Sequence, residues 1–276
     1  MSTFVHGGNV AANGIRQHYL RYGGATVETT RRAAVVIVPG ITSPAITWGF
    51  VGERFGRHLD TYVLDVRGRG LSSASSTLDY SLDAQADDLL AFIEALGLSG
   101  AAVLGHSMGA RIALRAARRD PQGGRIERIA LADPPVSGPG RRPYPSQLSW
   151  YVDSIALAQA GMDGEAMRRF CPSWTDQQLQ LRAEWLHTCD ERAVRMSFDG
   201  FHGDDVHADM PHVAQPALLI AAGRGDVIRD EDIAEMRTLM PQLEVAKVAD
   251  AGHMIPWDDE AGFYRALGTF FGTALD

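Results

Sequence analysis

Four short apolar runs punctuate the first half of the chain: residues 33–38, 61–64, 101–104 and 129–132. Each stops at a turn-former or an acid, respectively Pro39-Gly40, Asp65, Gly105 and Asp133. A brief run that is apolar throughout, rather than alternating, fits a strand buried on both faces. Helical spacing lies between the runs. Residues 83–96 carry Leu89, Leu90, Ile93 and Leu96, and residues 108–118 are rich in Ala and Arg. Such alternation requires a mostly parallel sheet with helices on both faces, an α/β architecture. The pattern returns near the end, with strands expected at 217–222 and 245–248 and helices at 230–240 and 260–271. Residues 8–22 and 26–30 are expected to form antiparallel edge strands.

Between about 137 and 209 the strand-like runs disappear. Aromatics replace them: Tyr144, Trp150, Tyr151, Phe170, Trp174, Trp185, Phe198 and Phe201. Helical spacing is visible at 147–160 and 176–189. The reading is an α/β core formed by 1–136 and 210–276, with a helical lid at 137–209. Its aromatics are expected mainly in the lid's own core.

The charge balance narrows the partners. Asp and Glu total 34 against 26 Lys and Arg, a formal charge of -8. A broad nucleic-acid face or an anionic membrane surface calls for the opposite sign. No basic stretch leads into an apolar core at Met1, and no run of about 18 apolar residues occurs. The expectation is a cytoplasmic protein with a small-molecule substrate and no nucleic-acid or membrane partner. Cys171 and Cys189 read as reduced thiols, because two cysteines at this spacing make neither a disulfide framework nor a zinc site.

Gly105-His106-Ser107-Met108-Gly109 follows a strand and opens a helix. A serine on that sharp turn points its hydroxyl into a cleft, and small residues two positions away tolerate the tight backbone. The helix N-terminus behind it offers free N–H groups to a developing oxyanion. Serine needs a base to attack a carbonyl at neutral pH. His253, in Ala251-Gly252-His253-Met254 after the last strand, falls on the same sheet edge. His106 adjoins the serine in sequence and is read as a packing residue. Two aspartates could orient the imidazole: Asp133, ending its strand, and Asp226 in Gly223-Arg224-Gly225-Asp226. Spacing does not choose between them. The oxyanion hole would use the N–H groups of Met108 and of Ile41, the latter in the loop after Val38.

These residues, with Asp65-Val66-Arg67-Gly68-Arg69-Gly70-Leu71-Ser72 and Gly252-His253, resemble the α/β-hydrolase superfamily over nearly the whole chain. That superfamily often has His-Gly before the oxyanion residue, where this chain has Pro39-Gly40. Three segments are more specific. They are residues 38–48 (Val-Pro-Gly-Ile-Thr-Ser-Pro-Ala-Ile-Thr-Trp), Asp133-Pro134-Pro135 through Arg141-Arg142, and residues 251–259 with Ile255-Pro256-Trp257-Asp258-Asp259. Together with residues 150–154 and 181–189, they resemble the N-formylmaleamate deformylase family of aerobic nicotinate breakdown.

That resemblance implies a serine-dependent amide hydrolase releasing formate and maleamate, with no metal or organic cofactor. It places the triad on Ser107, His253 and Asp133, while Asp226 holds the position used by much of the wider superfamily. The substrate carries a carboxylate, for which Arg141 and Arg142 are candidate partners. Thr42, Ser43 and Trp48 are candidate pocket residues. The same triad could serve an esterase, a lactonase or a C–C bond hydrolase of ring-cleavage products; a catalytically silent receptor is a third class. His202 and His207, with Asp204 and Asp205, lack the spacing of metal ligands. Asp258-Asp259-Glu260 reads as the acidic start of the last helix.

Overall fold

The computed structural model describes residues 1–24 and 33–275. The strand expected at 26–30 lies outside the described residues. The expectation for 8–22 is met by a hairpin, β1 (Phe4–Ala12) and β2 (Ile15–Tyr22), closed at Asn13-Gly14. Both turn residues have positive φ, 48° and 73°, as a tight two-residue hairpin turn requires.

Six further strands complete the sheet among the described residues: β3 (Val35–Val38), β4 (Thr61–Leu64), β5 (Ala101–His106), β6 (Ile126–Ala132), β7 (Ala217–Ala222) and β8 (Leu243–Val248). Their order is β1-β2-β4-β3-β5-β6-β7-β8. The β1–β2 and β2–β4 pairs are antiparallel and the others parallel. Every residue of β3, β4, β5 and β7 is buried, which accounts for their unbroken apolar character. The chain leaves β3 for β4 on one side and then crosses to β5 on the other. The strand order therefore reverses between β3 and β5, and the loops there diverge into a crevice.

Helices α1 (Gly49–Phe55), α2 (Leu82–Ala95) and α3 (Met108–Arg118) connect the first strands. Ser81 caps α2 by accepting the Ala84 N–H at 3.2 Å. Four α-helices and a short 3-10 turn (Met210–His212) fill the stretch between β6 and β7: α4 (Leu148–Gln159), α5 (Gly164–Met167), α6 (Asp176–Leu186) and α7 (Glu191–Gly203). Thr175 and Gln178 form a capping box at the start of α6, and Asp190 caps α7. Helix α6 stops three residues before the expected Cys189, because the chain must turn to enter α7. Helices α8 (Asp230–Leu239), α9 (Ile255–Asp258) and α10 (Glu260–Leu267) follow. The last ends short of Phe271 at Gly268, whose φ of 51° leaves the helical region. No helix among the described residues is long and apolar enough to cross a membrane.

Helix α3 is the hub of the packing. Its alanines let it lie close to the sheet, and Gly109 lets it lie closer still: a Cβ there would sit 1.9 Å from the Val38 carbonyl oxygen. On the opposite side Arg111 is buried, with its guanidinium donating to five carbonyls, those of Pro135, Ser137, Gly200, Phe201 and Asp204. Burial lowers its pKa to about 10, so it remains a cation at neutral pH. One side chain thus fastens both roots of the four-helix insertion to α3.

Gly109→Ala should lower stability by about 2 kcal/mol or more, since backbone rather than a movable side chain meets the added methyl. Urea unfolding of the purified variant measures this, and an unchanged midpoint would contradict the close approach.

Candidate active site

The parallel register sets the height of the site. His106 pairs with Ala132, and Ala132 pairs with Ile220. The next residues, Ser107 and Asp133, donate their N–H groups across to Ala132 and Ile220, each at 2.9 Å. Ser107 and Asp133 therefore leave neighbouring strands at one level. Both have positive φ, 53° and 46°, a region non-glycine residues rarely enter. At Ser107 this turns the side chain out of the strand and into the crevice. The serine occupies the N-cap of α3 yet makes no side-chain cap, so its hydroxyl is left for another partner.

That partner is His253, from the loop after β8. Its Nε2 lies 3.0 Å from Ser107 Oγ, and its Nδ1 lies 2.7 Å from Asp133 Oδ2. The carboxylate only accepts, so Nδ1 carries the proton and Nε2 is free to take the one from Ser107. Asp133 is fully buried, and its other oxygen accepts the Ala222 N–H at 3.3 Å. Of the two candidate aspartates, Asp133 meets the imidazole. Asp226 is exposed at the cavity mouth and forms an ion pair with Arg229.

His106 packs, as its place in the sequence suggests, against the contacting Trp48 and Trp257 rings. Its Nε2–H donates to the His253 carbonyl at 2.9 Å, so it holds the loop that carries His253. Burial, reinforced by the neighbouring His253, pulls its pKa down to about 3. The loop has a second tether, since Asp258 Oδ2 accepts the Gly252 N–H at 2.9 Å. Asp258 thus serves the histidine loop, whereas Asp259 caps α10, the role expected of the acidic run.

The loop after β3 makes a turn in which the Ser43 N–H donates to Gly40 at 3.2 Å. The Ile41 N–H has no acceptor among the described residues. That of Met108 is the first of its helix and lacks an intrahelical partner. Two buried arginines grip this loop from behind. Arg69 Nε donates to the Ile41 carbonyl at 2.9 Å, and its other nitrogens reach the Arg67 carbonyl, Ser197 and Met108 Sδ. Arg182 donates to both the carbonyl and hydroxyl oxygens of Thr42, at 3.1 and 3.0 Å. Asp65 completes the brace by accepting the Ala45 and Leu71 N–H groups.

These groups open on one cavity of about 440 Å³, within the range that holds small ligands. Thr42 and Ser43 line it, but Trp48 lies behind His106. Tyr144, Trp150, Tyr151, Phe170 and Trp174 also line it, so most of the named insertion aromatics face the cavity as well as their own core. The Tyr144 hydroxyl is 3.4 Å from His253 Nε2 and accepts from Tyr151 at 3.2 Å. Burial holds the Tyr144 phenol well above its ordinary pKa, so it stays a donor. Arg141 and Arg142 do not line the cavity. Arg141 forks onto Glu235, and Arg142 is bound to the Asp226 and Val227 carbonyls and to Asp232. The arginine that sequence reasoning passed over is Arg182, set in the buried stripe Leu179, Arg182, Ala183 and Leu186 of α6.

A strand-end serine at positive φ, its histidine, and a buried acid from the adjoining strand make the layout of a nucleophilic hydrolase. The profile of the alpha/beta hydrolase fold matches residues 33–260, and the chain belongs to that family. N-formylmaleamate deformylase of Pseudomonas putida is 63% identical over 275 residues, 100% of both proteins. A crystal structure of an N-formylmaleamic acid deformylase from Pseudomonas putida, a serine-to-alanine variant, has a TM-score of 0.89 at 54% identity, covering 95% of this chain and 100% of that one. E-2-(acetamidomethylene)succinate hydrolase, at 22% identity and a TM-score of 0.76 over 97% of this chain and 98% of its own, shares the fold.

Asp133→Asn should cut kcat by roughly 10⁴-fold, because an amide favours the wrong imidazole tautomer. Asp226→Asn should stay within about twofold of the parent, an effect too small to register as a triad loss. Equal losses in steady-state turnover would reverse the assignment. A second expectation concerns acid. The folded-state pKa of His106 lies below its ordinary 6.5, so the unfolded chain takes up the proton first. Its contribution is complete above pH 6.5 and fades as pH falls toward 3, at up to about 1.4 kcal/mol per pH unit. Urea midpoints at pH 7.5 and 5 should therefore diverge more for the parent than for His106→Asn. Identical slopes would contradict this.

Proposed function

We propose that the chain hydrolyses N-formylmaleamate to maleamate and formate. The full-length likeness to the deformylases supports the substrate. The unbroken line from Ser107 Oγ through His253 to Asp133, facing one cavity, carries the mechanism. In this reading Ser107 attacks the formyl carbon while His253 accepts its proton. The N–H groups of Ile41 and Met108 hold the oxyanion, with Asp133 stabilising the imidazolium. Collapse of the tetrahedral adduct breaks the formyl C–N bond. His253 returns the proton to the departing nitrogen, which becomes the primary amide of maleamate. That nitrogen delocalises charge into its remaining carbonyl and leaves more readily than a simple amine. Water, deprotonated by His253, then attacks the formyl ester on Ser107 and releases formate.

The division of labour follows. Residues 1–136 and 210–276 act as the hydrolase core and 137–209 as the lid. The lid supplies the flat aromatic walls of the cavity, and Arg111 supports the assignment by fixing its roots.

A coupled formate assay tests the reading. The parent should release one formate per N-formylmaleamate consumed, and Ser107→Ala should lose at least about 10⁴-fold in kcat. Release by the alanine variant at the parental rate would remove Ser107 from the chemistry. Absence of formate with the parent, alongside turnover of simple esters or lactones, would move the enzyme to the alternative hydrolase class.

A further inference from the structure

Arg182 carries more than the Thr42 loop requires. Its side chain is 3% exposed, and no carboxylate among the described residues lies within ion-pair distance of it. It is the one Lys or Arg lining the cavity among the described residues. The guanidinium lies against two indoles, 5.7 Å from the Trp150 ring centre and 5.6 Å from that of Trp174. Thr42 takes one N–H from each terminal nitrogen. The Nε–H is buried with no acceptor, and each terminal nitrogen has a second hydrogen. The Cys171 thiol stands beside it and is no counterion, since burial raises its pKa.

A buried cation without an anion is costly, and leaving its donors unmet adds to the cost. Arg69 and Arg111 meet that cost with carbonyls; Arg182 meets only part of it. The aromatic contacts fix the plane of the fork, leaving its in-plane hydrogens as the donors for a ligand. A planar carboxylate matches that geometry better than any neutral group. Thr42 adjoins Ile41, so an anion on Arg182 would sit beside the oxyanion loop, with the formyl group at Ser107.

We propose that Arg182 receives the substrate's carboxylate and sets the preference for anionic over neutral formyl amides. The proposal rests on the deformylase reading but makes its own claim. Arg141 and Arg142, held by Glu235 and Asp232, take no part. Aromatic contact and the Thr42 bonds preorganise the fork, so little side-chain freedom is lost when the anion arrives.

The test compares N-formylmaleamate with its uncharged methyl ester on the parent, Arg182→Met and Arg182→Lys, each checked for folding by thermal melting. The ratio of kcat/KM for the acid over the ester should fall at least about 30-fold in Arg182→Met and recover in part in Arg182→Lys. An equal loss on both substrates would overturn the proposal and leave Arg182 a brace for the oxyanion loop. An unchanged ratio would overturn it too. Should Arg182→Met not fold, the lysine variant decides by the same ratio. Where the parent releases no formate, the pair 4-nitrophenyl hemisuccinate and 4-nitrophenyl butanoate replaces the substrates. A parental preference for the charged ester, lost in the variants, supports the anion site while the deformylase reading fails. No such preference overturns both.

Discussion

The backbone at Ser107, with φ 53° and ψ −118°, is the constraint on which the site is built. An L-residue stays in that region only where its surroundings leave no alternative. Here the surroundings are two glycines and a sheet. A Cβ at Gly105 would meet the Gly109 carbonyl oxygen at 2.3 Å, and one at Gly109 would meet that of Val38. The pair allows β5, α3 and the end of β3 to touch. The hydroxyl is thereby aimed at the imidazole while the first N–H groups of α3 stay free. Strain, close packing and a serine hydroxyl turned toward the cavity are one arrangement viewed at three scales.

Buried arginines organise the rest. Arg67 pairs with Asp88 on α2, Arg69 holds the Ile41 carbonyl, Arg111 ties down the insertion, and Arg182 takes Thr42. Three of these four cations depend on carbonyls or hydroxyls rather than on carboxylates. Guanidinium suits that work because its donors are fixed in a plane and its charge survives burial. The consequence for function is directional. The consecutive carbonyls of Ile41 and Thr42 are drawn backward by Arg69 and Arg182, while the Ile41 N–H keeps no acceptor among the described residues.

The fold was largely legible in the residues because buried parallel strands are apolar throughout and end abruptly. Thr61–Leu64, Met108–Arg118 and Ala217–Ala222 stand where periodicity puts them. Strands β5 and β6 run longer than their apolar cores because Gly105-His106 and the Ile126 end pair through backbone groups that composition does not reveal. Helix α5 is a single turn, too short to show a period, whereas α7 buries Ala193, Val194, Ser197 and Phe201 along one face and starts at a readable cap, Asp190, so its signal was present but not read. Ser107 and His253 were legible because chemistry restricts which residues can stand at those strand ends. Asp133 and Asp226 were not separable by spacing, since both follow strands that reach the same edge. Arg182 escaped notice because a charge inside an apolar helical stripe reads as an interruption. Arg141 and Arg142 attracted attention by proximity in sequence to Asp133, yet local carboxylates and carbonyls satisfy both.

Site-resolved trapping of the nucleophile tests the account most directly. The enzyme is treated with a fluorophosphonate, digested, and mapped by mass spectrometry, in parallel with a His253→Ala variant. The account predicts one phosphonylated side chain, Ser107, with labelling slowed by orders of magnitude when the imidazole is removed. Inactivation that leaves Ser107 unmodified, or labelling of Ser107 at an undiminished rate without His253, would contradict it.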